Sequence, residues 1–82
     1  MKGGVIIMQK WSKLITIGKH ECKIIFKAYD GIVNPHDICA EATIMLGNEV
    51  VGYGISEDYM KDIAVASAQN EAEKEAKDYF EI

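Results

Sequence analysis

His20, Cys22, His36 and Cys39 are the residues whose types most readily suggest chemistry, since imidazole nitrogen and thiolate sulfur are the ordinary ligands of structural zinc. Their spacing argues the other way. H-x-C and H-x-x-C are not a standard zinc-knuckle pattern. If the β-rich segments that carry them pair as an antiparallel hairpin, Cys22 and Cys39 lie about 20 Å apart at the ordinary strand rise. A disulfide, whose Cα atoms must come within about 7 Å, is excluded by the same separation. The expectation is two reduced thiols, a buried Cys22 and no metal. No serine, histidine and acid set has recognisable spacing. The adjacent carboxylates Glu57 and Asp58 are better explained as partners of a helix dipole than as an acid/base dyad. Gly52 and Gly54 flank Tyr53 where a phosphate could approach a helix N-terminus, but those two acids would repel it. The glycines therefore read as room for backbone bending or a close neighbour. A chain without catalytic activity and without a cofactor is expected.

The elements that position these residues follow from hydrophobic period and turn chemistry. Strands are predicted near 10–17 and 21–29, joined by Gly18-Lys19 in a two-residue loop of type II′, with glycine first. Counting outward places Trp11 opposite Phe26 and Ile15 opposite Cys22. Cys22, Ile24, Phe26 and Ala28 then share one face, and Lys23, Ile25, Lys27 and Tyr29 the other. A longer connection carries Asp30-Gly31 and Asn34-Pro35. Strands near 38–46 and 49–55 follow, meeting across Gly47-Asn48. The same counting pairs Ile44 with Val51, Ala42 with Tyr53 and Ala40 with Ile55, so Val51, Tyr53 and Ile55 are expected in the core. Ser56, Glu57 and Asp58 read as a helix start, and a helix is predicted over 57–80 with an inward stripe of Met60, Ile63, Ala64, Ala68, Ala72, Ala76, Tyr79 and Phe80.

Composition bounds what such a chain can be. It has 82 residues, 49% of them apolar and 27% charged, an ordinary globular balance. A domain of this size buries only about 60% of its unfolded surface, so the core must be thin. No run approaches the roughly 20 apolar residues of a membrane span, and a cytoplasmic location with no membrane contact is the default. Charge is polarised: Met8 to Lys27 holds five lysines against one acid, a net of +4, whereas Glu57 to Ile82 holds eight acids against three lysines, a net of −5. Arginine is absent, which lowers the expectation of nucleic-acid binding. Residues 1–7 read as a misassigned start, because Lys2-Gly3-Gly4 is what a purine-rich ribosome-binding site would encode upstream of Met8; the alternative is an N-terminal extension, either disordered or pairing Val5, Ile6 and Ile7 at an edge of the first strand. Residues 8–82 are then expected to form one domain.

Gly52-Tyr53-Gly54-Ile55-Ser56, following a short hairpin and leading into an alanine-rich helix, resembles the C-terminal half of double-stranded-RNA-binding domains. The resemblance implies a β-β-β-α core. Two departures stand beside it: strand-like sequence replaces the family's N-terminal helix, and Glu57 and Asp58 replace the lysines that grip phosphate after the serine. Ala68, Asn70, Glu71 and Ala72 also look like the strand-to-helix half of HicB-type antitoxins. The expected fold class is α+β, a four-stranded antiparallel sheet of two hairpins with one C-terminal helix packed on one face.

One helix covers one face, so the other decides function. Ile25, Tyr29, Met45 and Val50 stand there, a set less polar than a wholly solvated face carries. A protein-binding or regulatory module that self-associates is the leading expectation, with those four as partner-binding residues. A nucleic-acid surface built from Lys23, Lys27 and Tyr29 is the alternative, through charge and base stacking. A metal-binding protein is the third reading.

Overall fold

The computed structural model describes residues 9–82, so the expectation for residues 1–7 lies outside the described residues. Four strands, β1 (Gln9–Ile17), β2 (His20–Asp30), β3 (Ile38–Leu46) and β4 (Glu49–Asp58), precede one helix, α1 (Lys61–Phe80). The strands form a single antiparallel sheet in the order β1-β2-β3-β4. The fold is α+β, as the patterning predicts. No helix among the described residues is long and apolar enough to cross a membrane.

Both hairpins form where the turn residues place them. Gly18 and Gly47 have φ of +63° and +64°, while Lys19 and Asn48 keep negative φ, the type II′ arrangement that matches strand twist. Pairing of β1 with β2 follows the counted register throughout, with Trp11 opposite Phe26 and Ile15 opposite Cys22. Ile24, Phe26 and Ile44 are fully buried, and the Trp11 ring stacks on Phe26 at 5.1 Å.

The register of β3 with β4 corrects the counted one. It starts as expected, Leu46 opposite Glu49, and then shifts: Met45 faces Val50 but Ile44 faces Gly52, leaving Val51 as the extra residue of a β-bulge. Val51 keeps its place in the core, but every later residue of β4 changes face. Gly52 and Gly54 turn inward and are buried, whereas Tyr53 and Ile55 turn outward and are 40% and 44% exposed. The lengths agree, since β3 has nine residues and β4 ten.

Close packing of the helix favours this register. Val65 and Phe80 pack half-buried against the margins of the core, while the centre of the sheet-facing side of α1 offers only the methyl groups of Ala64, Ala68, Ala72 and Ala76, all fully buried. Such a surface can lie almost in contact with a strand, provided the strand has no side chains there. A Cβ on Gly54 would fall 2.1 Å from the carbonyl oxygen of Ala68, and one on Gly52 would fall 2.3 Å from that of Ala72. Two glycines therefore let the helix seat on β4 and β3, while the bulky residues of the core come from the sheet. Met60, Ile63 and Tyr79, expected to face inward, are about half exposed at the flanks of this narrow contact.

The helix also begins later than predicted. Ser56, Glu57 and Asp58 continue β4 opposite Ala40, Cys39 and Ile38, because the ladder to β3 extends that far. The Asp58 carboxylate then accepts a bond from the Met60 N–H at 3.0 Å, and the helix starts at Lys61. At the other end Glu81 takes a left-handed conformation and the Ile82 N–H donates to the Lys77 carbonyl. Phe80 there stacks on His20 at 3.9 Å, tying the helix end to the first hairpin.

Candidate functional site

The face of the sheet away from α1 is a grid fixed by the three registers. Leu14, Lys23, Met45 and Val50 form one row across it. Ser12, Ile25, Thr43 and Tyr53 form the next, then Lys10, Lys27, Glu41 and Ile55, and last Tyr29, Cys39 and Glu57. The partner-binding residues expected from sequence, Ile25, Tyr29, Met45 and Val50, are all on this face. Leu14, Tyr53 and Ile55 join them, three residues that the sequence pattern does not assign to the site. For Tyr53 and Ile55 the cause is the bulge; the usable signal is the pairing of a Gly-x-Gly strand with a helix repeating alanine every fourth residue. Leu14 follows from the β1–β2 register alone.

Electrostatically the face is divided. Its β1–β2 half carries Lys10, Lys23 and Lys27 against Glu21, a net of +2, and its β3–β4 half carries Glu41 and Glu57, a net of −2. Between the last two rows, the Tyr29 hydroxyl donates to the Glu41 carboxylate. Burial first, then hydrogen bonds to Cys39 and Glu41 and their charge, raise the Tyr29 phenol above its ordinary value. Burial and the same carboxylate raise Tyr53. The folded chain holds these two protons more tightly than the unfolded chain does. The stability they confer is therefore complete below the ordinary tyrosine value of about 10 and is lost as pH rises above it. A tyrosinate absorbance titration should show part of the signal appearing late, and Glu41→Gln should move that part to lower pH; an unchanged curve would contradict a carboxylate shared between the two rings.

Glu57 braces the β2–β3 loop, because its carboxylate accepts from the N–H groups of Ile32 at 3.4 Å and Asn34 at 3.2 Å. Both edges of the sheet are also distinct. On β4 the outward N–H groups of Tyr53 and Ile55 donate to Glu75 at 3.0 Å and Glu71 at 3.1 Å, so helix carboxylates occupy donors that would otherwise template another strand. A hollow of about 410 Å³ beside them is lined by Tyr53, Glu71, Lys74, Glu75 and Asp78. Across the sheet, a hollow of about 260 Å³ is lined by Lys10, Trp11, Ser12, Lys23 and Ile25.

For the nucleic-acid alternative, the structure does bring Lys23, Lys27 and Tyr29 onto one face of β2, but it sets the Glu41 carboxylate against the tyrosine hydroxyl. The candidate zinc ligands are dispersed. Cys22 lies on the helix side, Cys39 lies on the opposite face seven residues along the ladder, His20 stacks on Phe80 and His36 is in the exposed loop. Burial raises the Cys22 thiol. Among the described residues no three of His, Cys, Asp and Glu converge as metal ligands. Gly52 and Gly54 lie inside β4 beneath the helix, so the Gly52–Ser56 segment is strand and not a strand-to-helix junction. No protein-family model matches the chain, and comparison with curated proteins and with solved structures gives no match.

Proposed function

We propose that this chain is a non-catalytic protein-docking module that self-associates through the free face of its sheet. The observation that carries this reading is the β-bulge, which places Tyr53 and Ile55 beside Ile25, Met45, Val50 and Leu14. An antiparallel sheet with one covered face ordinarily alternates to polar residues on the other. Here three of the four rows carry apolar or aromatic side chains at 40–69% exposure, a patch of the kind that marks an interaction surface. From the double-stranded-RNA-binding resemblance the proposal keeps only the strand-to-helix outline. Glu57 and Asp58 replace the phosphate-gripping lysines, and Glu41 makes the free face a poor phosphate surface.

Self-association in the micromolar range or tighter is expected, equivalent to about 8 kcal/mol or more. Ile25→Glu and Met45→Lys should each weaken it at least tenfold in sedimentation equilibrium while leaving the helical circular-dichroism signal intact. A monomer at about 100 µM would overturn the self-association. Salt-dependent binding of RNA or DNA by that monomer would favour the nucleic-acid alternative instead.

A further inference from the structure

We infer that the occupant of the free face is a second copy of this chain, related by a two-fold axis that runs along the strands, with Tyr53 of each copy seated in the Ser12 hollow of the other. This rests on the self-association proposed above and adds its geometry. Two sheets packed face to face by a two-fold axis have two limiting arrangements. An axis across the strands lays each strand over its own copy, so the +2 half of the face meets the +2 half. An axis along the strands lays β1 over the partner's β4 and β2 over the partner's β3, so that the +2 half meets the −2 half. Like charges facing each other oppose association and complementary ones select it, which favours the second arrangement. Aligned sheet packing at about 30° places the axis within about 15° of the strand direction.

The registers then fix what meets what, because rotation about this axis preserves height along the strands. Lys27 comes over Glu41 of the second copy, and Leu14 over its Val50. Ser12 comes over its Tyr53. Around Ser12 the small side chain leaves the 260 Å³ hollow bounded by Lys10, Trp11, Lys23 and Ile25, room for one aromatic ring with lysine ammonium groups beside it. Strands of nine residues and a four-strand width give a face of about 30 by 19 Å, so two copies bury on the order of 1,100 Å², above the roughly 1,000 Å² of a specific interface.

The test uses two single-cysteine additions at exposed positions, Leu14→Cys and Val50→Cys, with the buried native thiols as background. A short bis-maleimide linker should join Leu14→Cys to Val50→Cys in an equimolar mixture at several-fold higher yield than either protein joins to itself. Ser12→Trp, which fills the hollow, should weaken sedimentation dimers at least tenfold with the circular-dichroism spectrum unchanged. If the protein sediments as a dimer but Leu14→Cys links to itself as well as it links in the mixture, the axis is wrong and the docking face stands. If dimers persist undiminished in Ser12→Trp, the Tyr53 seat is wrong. Monomers throughout would remove both the geometry and the self-association beneath it.

Discussion

Gly54→Val is expected to push the helix off the sheet and to remove a large share of the chain's stability. The added Cβ alone would fall 2.1 Å from the Ala68 carbonyl oxygen and 2.8 Å from the Ala72 nitrogen, and both are backbone atoms with no rotamer to escape into. Relief requires the whole helix to move off β4, which uncovers the alanine stripe and the buried isoleucines beneath it. Overpacking in cores costs about 1–3 kcal/mol when side chains can adjust, and a cost at or above that upper end is expected where only backbone can move. A domain of this length has about 4–12 kcal/mol in total. Gly47→Ala is the matched comparison: its Cβ would meet nothing within 4 Å, so only the left-handed backbone opposes it, at about 1–2 kcal/mol. Urea titrations followed by circular dichroism separate the two. Equal losses would mean that the helix does not rest on these glycines.

Phe26→Ala should be the most damaging truncation, costing about 3–5 kcal/mol in the same titration. Because the fully buried residues of α1 are all alanines, most of the volume of the core is supplied by the sheet, and Phe26 is the largest fully buried side chain in it. Its ring also supports Trp11, which stacks on it, and the Lys13 ammonium lies 5.8 Å from its centroid. Removal leaves a cavity that rigid β-ladders on both sides cannot close. Ile44→Ala, a smaller deletion at an equally buried position, is expected to fall lower, at about 2–4 kcal/mol. A Phe26→Ala loss below about 1 kcal/mol would place the core elsewhere.

Much of this fold is legible in the sequence because local and tertiary signals agree. Gly18-Lys19 and Gly47-Asn48 specify turn type, turn type specifies register, and alternation across β1 and β2 then assigns faces correctly from Trp11 to Tyr29. Where the sequence misleads, two signals conflict. Along Gly52 to Ile55, alternation sends the large side chains of Tyr53 and Ile55 inward, and only the helix, with nothing larger than a methyl among its fully buried residues, makes the opposite assignment favourable. That preference comes from contact between elements far apart in the chain, so no local window contains it. Ser56, Glu57 and Asp58 mislead for a related reason: they satisfy the local rules of a helix start, but pairing with Ala40, Cys39 and Ile38 keeps them extended. The candidate site divides along the same line. Its β2 and β3 members are legible because their register is regular, and Tyr53 and Ile55 are not because theirs is broken by the bulge.

The docking face is tested most directly by nuclear magnetic resonance on dilution, following methyl and aromatic signals from about 1 mM to 10 µM, a range that spans micromolar association. The signals of Ile25, Met45, Tyr53 and Ile55 should move together with concentration while those of Ile24, Ile44 and Ala68, between sheet and helix, stay fixed. Movement confined to the helix surface or to the exposed Ile32–Val33 loop, or no movement of any signal in a protein that sediments as a monomer, would contradict docking through this face.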